Sequence, residues 1–167
     1  DRKALGEATE NRPIFKMEKD GAEKYVLPIV GKGLWGDIWG YVSLQKTEDN
    51  IVITGIVMDH AGETPGLGAN MIKEGNSLER SAVGKEPKTL TFAVSKEGGS
   101  FDALTGSTIS SRAYANAVET AYAGYLWATG RLDTSNEALD AAPSGASMPY
   151  EEFLNNEPEA QKGGDNE

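Results

Sequence analysis

A hydroxyl-rich stretch leads directly into the longest helical pattern of this chain. Residues 102–111 contain five serine or threonine side chains and one glycine, and a helical pattern follows over residues 112–129. The start of a helix carries backbone N–H groups without intrahelical partners and the positive end of the helix dipole. The stretch therefore predicts a phosphate or sulfate site at this junction, with helix capping by the same hydroxyl groups as the alternative.

The charge balance argues against nucleic acid as a partner. The 167 residues carry a net charge of −10, so nucleic-acid backbones and anionic membrane surfaces repel the chain as a whole. Half of this excess lies in residues 151–167, which hold six acidic residues against one lysine. The length suits one compact domain with a hydrophobic core.

Missing residue types exclude several kinds of chemistry. The sequence has no cysteine, which excludes disulfides, thiolate nucleophiles and the usual structural zinc sites. The only histidine, His60, has no second histidine or cysteine for metal ligation, so we expect a surface or hydrogen-bonded side chain rather than a proton relay. Nothing in the sequence indicates a hydrolase.

Three parts of the chain are predicted to differ in role. No apolar run reaches the ~20 residues that span a bilayer, and the chain begins at Asp1 without an initiator methionine. We expect residues 1–12 to form a linker after a removed membrane anchor. Residues 13–134 should form the folded domain, and residues 135–167 an acidic, mobile tail.

Alternating apolar residues near the start of the chain predict a β-hairpin. Its strands are expected at residues 14–17 and 25–30, with the turn Lys19-Asp20-Gly21 between them. Pro28 cannot donate to a strand ladder, so the second strand should end there or lie at an edge.

A second hairpin is predicted in the middle of the sheet. Two β-rich runs, residues 38–44 and 51–58, are joined by a polar turn at residues 48–50, and the second run is rich enough in valine and isoleucine to be buried. Residues 89–94 should add another strand. Glycine-rich or proline-rich composition predicts loops at residues 31–36 and 59–69.

The helical part of the pattern completes the predicted fold. Short helices are expected at residues 70–73 and 77–81, and the long helix should end at Gly130. One broad face of this helix carries small and aromatic side chains, among them Ala115, Val118, Tyr122 and Tyr125 at helical spacing. The sequence therefore predicts an α+β fold, a mostly antiparallel twisted sheet packed by helices, with a long C-terminal helix starting at the hydroxyl-rich motif.

Three loop motifs together resemble a known family of flavin-binding domains. They are Gly31-Lys32-Gly33-Leu34-Trp35, Glu63-Thr64-Pro65-Gly66-Leu67-Gly68, and Asp102-Ala103-Leu104-Thr105-Gly106-Ser107-Thr108. The set resembles the FMN-binding domain shared by the C-subunit of the sodium-translocating NADH:quinone reductase and the G-subunit of the Rnf electron-transport complex. The first motif favours the quinone-reductase member. The resemblance covers residues 13–130.

The resemblance implies where a flavin would be held. FMN would be joined through its phosphate to the hydroxyl of Thr108 by a dedicated flavin transferase, with Thr105, Gly106, Ser107 and Ser111 around the attachment point. Thr105 and Ser107 depart from the commonest family wording, which has serine and alanine there. The family's loop against the isoalloxazine ring corresponds to Glu63, Thr64, Gly66, Leu67 and Gly68.

Other assignments near this predicted site have structural alternatives. Leu34 and Trp35 are expected to wall the flavin, the alternative being that Trp35 belongs to the core. The second motif could also be no more than a rigid Pro-Gly turn. Lys32 could contact an anion or simply be solvated.

The implied role is electron transfer inside a larger complex. The resemblance implies a redox subunit that works with other subunits of a membrane complex, on the extracytoplasmic face of the bacterial inner membrane, tethered by an N-terminal transmembrane helix that this sequence lacks. The domain alone should turn over no substrate. The alternatives are the Rnf subunit and a non-redox module that binds a phosphate-bearing ligand at the same junction.

Overall fold

Four antiparallel strands lie in the sheet in the same order as in the chain. The computed structural model describes residues 13–19, 21–47 and 50–131. The strands are β1 (Phe15–Lys19), β2 (Ala22–Lys32), β3 (Asp37–Lys46) and β4 (Ile51–His60). The roles predicted for residues 1–12 and 135–167 concern parts of the chain that lie outside the described residues.

The first predicted hairpin is confirmed, but its second strand is longer than expected. β1 pairs with β2 from Lys19–Ala22 to Phe15–Val26. β2 does not end at Pro28, which lies opposite Tyr41 of β3. The other predicted outcome, an edge position, is confirmed, because the pairing with β1 has ended by Val26 and β2 has only β3 as its strand neighbour at the proline.

The second predicted hairpin is also confirmed, but its position in the sheet is not. β3 pairs with β4 from Ile38–His60 to Lys46–Ile51, with one register shift between Ser43 and Leu44. The middle of the sheet, however, is formed by β2 and β3, and β4 lies at an edge. β4 is only partly buried, since Ile53, Ile56 and Met58 face the core while Val57 is 63% exposed. The alternation of buried and exposed side chains along β4 is expected for an antiparallel sheet that packs against the core on one face and meets solvent on the other.

The strand predicted at residues 89–94 does not form. A 3₁₀ turn spans Pro87–Thr89, and Val94 makes only an isolated bridge to Phe101. The apolar side chains of this segment pack instead on a cluster of rings: Phe92 lies 5.9 Å from Phe101 and 6.4 Å from Tyr122. Packing against other side chains therefore decides the backbone here, because β propensity mainly reports fit to a pleated surface.

The predicted helices are present, with shifted ends. A 3₁₀ turn spans Gly68–Ile72, helix α1 spans Ser77–Ala82, and helix α2 spans Thr108–Ala128. α2 begins at Thr108, inside the hydroxyl-rich motif as predicted, and so includes four residues before the regular helical pattern that starts at Arg112. It ends as predicted, because Gly130 has a φ of 65° and the N–H of Arg131 returns to the carbonyl of Leu126.

The core lies between the sheet and α2. Helix α2 packs across β2 and β3, and Tyr125 of the helix meets Tyr25 of β2 edge to face, with 4.9 Å between ring centroids. Ala115 and Val118, on the predicted apolar face, are fully buried. The α+β class is confirmed. In the described part of the chain, no helix is both long and apolar enough to cross a membrane.

Candidate functional site

A buried carboxylate joins the three loops that carry the motifs. The side chain of Glu63 is 5% exposed. Its Oε2 accepts a hydrogen bond from the hydroxyl of Ser110, at 2.6 Å, and its Oε1 accepts one from the backbone N–H of Trp35, at 3.2 Å. Ser110 also accepts a hydrogen bond from the N–H of Leu34. The three motifs, far apart in sequence, are therefore neighbours at the start of α2.

Two glycines allow the backbone to close around this carboxylate. A Cβ atom built on Gly33 would overlap Oε1 of Glu63, and one built on Gly68 would overlap Oε2. The same Cβ on Gly68 would lie 2.9 Å from the hydroxyl of Ser107. Any larger residue at either position would displace the carboxylate or the loop.

Three of the five hydroxyl-bearing residues of the motif are buried, and two of these form hydrogen bonds through their hydroxyl groups. Ser107, Ser110 and Ser111 are buried. The hydroxyl of Ser111 donates to the carbonyl of Ser107, at 2.6 Å, and accepts from the N–H of Leu104, at 3.0 Å. These bonds tie the turn at Leu104 to the first turn of α2, but they do not cap the helix, because neither of them satisfies a free N–H group of its first turn.

The two threonines of the motif differ from these serines. Thr105 and Gly106 are exposed, and Thr108, the first residue of α2, is half-buried. Gly106 has a φ of 69°, which a side chain would strain, and a Cβ there would lie 2.9 Å from Cδ2 of Leu67. The loop of the second motif therefore lies directly against the turn that precedes Thr108.

The protein's own Glu63 side chain lies beside the start of α2. Through its bond with Ser110, the carboxylate of Glu63 lies next to the first turn of α2, where negative charge is favoured. A phosphate at Thr108 would therefore share the positive end of the helix with an existing carboxylate. Sequence reasoning placed Glu63 against a ligand rather than in this anchoring position.

Apolar side chains remain exposed around the same place. Leu34 is 46% exposed, Leu67 40% and Ile109 48%. Trp35 is 66% exposed, so the alternative that it belongs to the core is wrong. Isolated exposed apolar residues need no explanation, but these lie on three adjoining segments and make this place a candidate binding surface.

The remaining predicted residues have ordinary local partners. Nδ1 of His60 accepts a hydrogen bond from the N–H of Glu63, at 3.2 Å. The exposed Thr64 accepts the N–H groups of Leu67 and Ala69 through its carbonyl, which fits an ordered Pro-Gly turn. Lys32 forms an ion pair with Asp37, at 2.9 Å.

The sequence did not identify Ser110 as a site residue, and it identified Gly33 only as part of a loop motif, not as a neighbour of Glu63. Ser110 lies within the motif string, three residues after Ser107 and therefore near it on the helix. This spacing indicates a second polar position at the helix start. No local pattern identifies Glu63 as its partner, because that contact depends on how the loops pack.

Comparison with known proteins gives a consistent result. The sequence model of the FMN-binding domain family matches residues 33–123. The C-subunit of the Na⁺-translocating NADH-quinone reductase of Neisseria meningitidis is 35% identical over 109 residues, which cover 59% of this chain and 40% of that protein. The protein of the same name from Pasteurella multocida is 31% identical over 114 residues, covering 62% and 42%.

A solved structure agrees with these relatives. The crystal structure of the C-subunit of the Na⁺-translocating NADH-quinone reductase of Parabacteroides distasonis superposes with a TM-score of 0.53 and 32% identity, over 69% of this chain and 61% of that one. The matched part of the chain spans about two fifths of the length of the curated relatives named above, 40% and 42%.

Proposed function

Since this chain belongs to the FMN-binding domain family, we propose that it carries FMN covalently on Thr108 and acts as an electron-transfer subunit of a sodium-translocating NADH:quinone reductase. The relatives that match it are named as the C-subunit of such a reductase. Those names favour this complex over the Rnf complex and over a non-redox module.

One observation carries the choice of residue. Thr108 opens α2 and keeps part of its surface, whereas Ser107, Ser110 and Ser111 are buried in the turn and the loop contacts. A hydroxyl that accepts a bulky group needs access from solvent. Thr105 is exposed as well, but it precedes Gly106 and lies outside the helix.

The surroundings of Thr108 fit such a group. The exposed side chains of Leu34, Leu67 and Ile109 offer apolar surface to a planar ring system. Trp35 adds an exposed aromatic face. The residues expected at the flavin are thus Thr108 as the attachment point, Thr105, Gly106, Ser107 and Ser111 in its turn, Leu34 and Trp35 as walls, and Glu63, Thr64, Gly66, Leu67 and Gly68 in the opposing loop.

The chain's own contribution is attachment and orientation. In the attachment reaction, the oxygen of the Thr108 hydroxyl bonds to the phosphorus of an activated flavin phosphate, the hydroxyl proton leaves, and the bond to the activating group breaks. Glu63 holds the two flanking loops against the helix start through Ser110 and Trp35. When bound, FMN supplies one-electron and two-electron redox chemistry.

The cellular setting belongs to the same proposal. A reductase subunit works with other subunits, and a flavin transferase is required for maturation. We place the domain on the extracytoplasmic face of the bacterial inner membrane, tethered in the full-length protein by an N-terminal transmembrane helix. The isolated domain should turn over no substrate, because it has neither of its electron-transfer partners.

The test is to produce the chain together with a flavin transferase and to follow flavin on the denatured polypeptide. We expect fluorescence on a denaturing gel and a peptide spanning residues 101–112 that is heavier by one FMN less one water. Thr108→Ala should abolish both signals, Thr108→Ser should retain them, and Thr105→Ala should leave them unchanged. Retention of flavin by Thr108→Ala would refute the proposed attachment.

A second experiment tests the complex. The tagged full-length protein, purified from its own cells in mild detergent, should bring along the other subunits of the sodium-translocating reductase. Recovery of Rnf subunits instead would refute the assignment to that complex while leaving the flavin site intact.

A further inference from the structure

A basic cleft lies at the end of α2 that is farthest from the proposed flavin site. The helix has 21 residues, so its ends are about 30 Å apart. The cleft, of about 400 Å³, opens to solvent between β1, β2, β3 and the C-terminal end of α2. The residues that line it are Lys16, Glu23, Tyr25, Lys46, Tyr125, Ala128, Thr129 and Arg131.

Positive charge exceeds negative charge in this cleft. Lys16 and Lys46 share one carboxylate, since Nζ of Lys16 lies 2.6 Å from Oε1 of Glu23 and Nζ of Lys46 lies 3.0 Å from Oε2. Arg131 donates to the hydroxyl of Tyr125, at 3.4 Å, and has no ion pair within the described residues. Three cations thus face one carboxylate, which leaves donors of all three available to an anion.

The cleft contrasts with the chain as a whole and with the sequence that follows it. The net charge of the chain is −10, and residues 132–167 hold nine acidic residues against Lys162 alone. The acidic segment therefore accounts for most of the negative charge. Its first acidic residue, Asp133, comes two positions after Arg131, one of the residues that line the cleft.

We propose that this cleft is a carboxylate-binding site for the acidic segment of the same chain, residues 133–167. A guanidinium group and two ammonium groups suit carboxylates, and the guanidinium offers two parallel donors. The volume of about 400 Å³ admits one or two side chains, since a water molecule alone occupies about 30 Å³. Because the segment is tethered at the rim of the cleft, its effective concentration is high.

Zero-length cross-linking tests this proposal on the full chain. A carbodiimide joins a lysine amine to a carboxyl group as an amide, with loss of water, only where the two groups touch. In the monomer, we expect amides from Lys16 or Lys46 to acids in residues 133–167 to exceed those from Lys73 and Lys96 by about fivefold, because only a segment bound in the cleft holds its carboxylates in contact with these two lysines. Lys73 and Lys96 are exposed lysines elsewhere on the domain.

Two conditions identify the interaction as an ion contact at this cleft. Arg131→Gln should lower the cross-links of Lys16 and Lys46 to the segment, whereas Lys73→Gln, which removes one charge elsewhere, should leave them unchanged. About 0.5 M salt should lower them as well, because it screens exposed charge pairs. Equal labelling of all four lysines, or cross-links only between molecules, would overturn the proposal.

The test is independent of the flavin. It uses the protein without cofactor, and Thr108→Ala should give the same cross-links as the unchanged chain. A failure of the flavin proposal would therefore leave this result standing, and the reverse also holds.

Discussion

The hydroxyl of Ser110 donates a 2.6 Å hydrogen bond to the carboxylate of Glu63, and both groups are buried. The two residues are 47 positions apart in sequence. Glu63 reaches the first loop as well, through the N–H of Trp35. One carboxylate therefore sets how the two flanking loops meet the start of α2.

Removing the hydroxyl of Ser110 should destabilise the domain. Ser110→Ala leaves the buried carboxylate of Glu63 short of one donor, and we expect a loss of about 1–3 kcal/mol in the free energy of unfolding. Urea denaturation measures this. Ser43→Ala is the matched control, since Ser43 bonds to Thr54 on an exposed part of the sheet, and it should change stability by less than about 0.5 kcal/mol. Equal losses would contradict the anchoring role of Glu63.

Gly68 and Gly124 should respond in opposite directions to alanine. A Cβ on Gly68 would overlap the Glu63 carboxylate, whereas one on Gly124, inside α2, would meet no atom within 4 Å. Gly68→Ala should cost about 1–3 kcal/mol through overpacking, and Gly124→Ala should stabilise the helix by about 0.5–1 kcal/mol. The midpoints of urea unfolding report both. A Gly68→Ala protein as stable as the parent would show that the loop can move away from Glu63.

The hydroxyl of Tyr114 should contribute nothing to stability. The side chain is fully buried, and its hydroxyl has no hydrogen-bond partner in the described part of the chain. Burial, with a smaller contribution from the Glu79 carboxylate, raises the pKa of Tyr114 far above its usual range. Tyr114→Phe should therefore be neutral or slightly stabilising.

The ring of Tyr114, by contrast, packs beside Phe101, with 6.3 Å between centroids. Tyr114→Ala removes this ring and should cost about 3–5 kcal/mol. Thermal unfolding compares the two variants, and a large loss in Tyr114→Phe would reveal a partner for the hydroxyl.

Glu23 should stabilise the fold in a pH-dependent way. Hydrogen bonds from Lys16 and then Lys46 lower the pKa of Glu23 from 4.5 to about 2. A folded-state pKa below the unfolded value means that this stabilisation is fully present above about pH 4.5 and is lost as the pH falls towards about 2. The stability difference between the parent and Glu23→Gln should therefore shrink across that window.

Urea unfolding at several pH values measures this difference. Glu74→Gln is the control, because Glu74 is exposed and has no ion pair in the described part of the chain, and its difference from the parent should stay small at every pH. A constant difference for Glu23→Gln between neutral pH and the acidic limit would contradict the ion-pair explanation.

Interactions between near neighbours in the sequence were enough to predict the individual elements. Both hairpins, the glycine that ends α2 and the hydroxyl-rich start of that helix follow from alternation, turn residues and capping. The motif strings also identified the family. These features are predictable because each is decided within a few residues of the chain.

The contacts between those elements, by contrast, came from the packing of the whole domain. β4 lies at an edge of the sheet and β2 in the middle, and β2 continues past Pro28. Residues 89–94 form no strand, because Phe92 packs in an aromatic cluster instead. Packing of the loops also determines that the Glu63 carboxylate accepts a hydrogen bond from Ser110 and that Trp35 is exposed. Such outcomes depend on which distant surfaces fit together when the core closes, and no short segment contains that information.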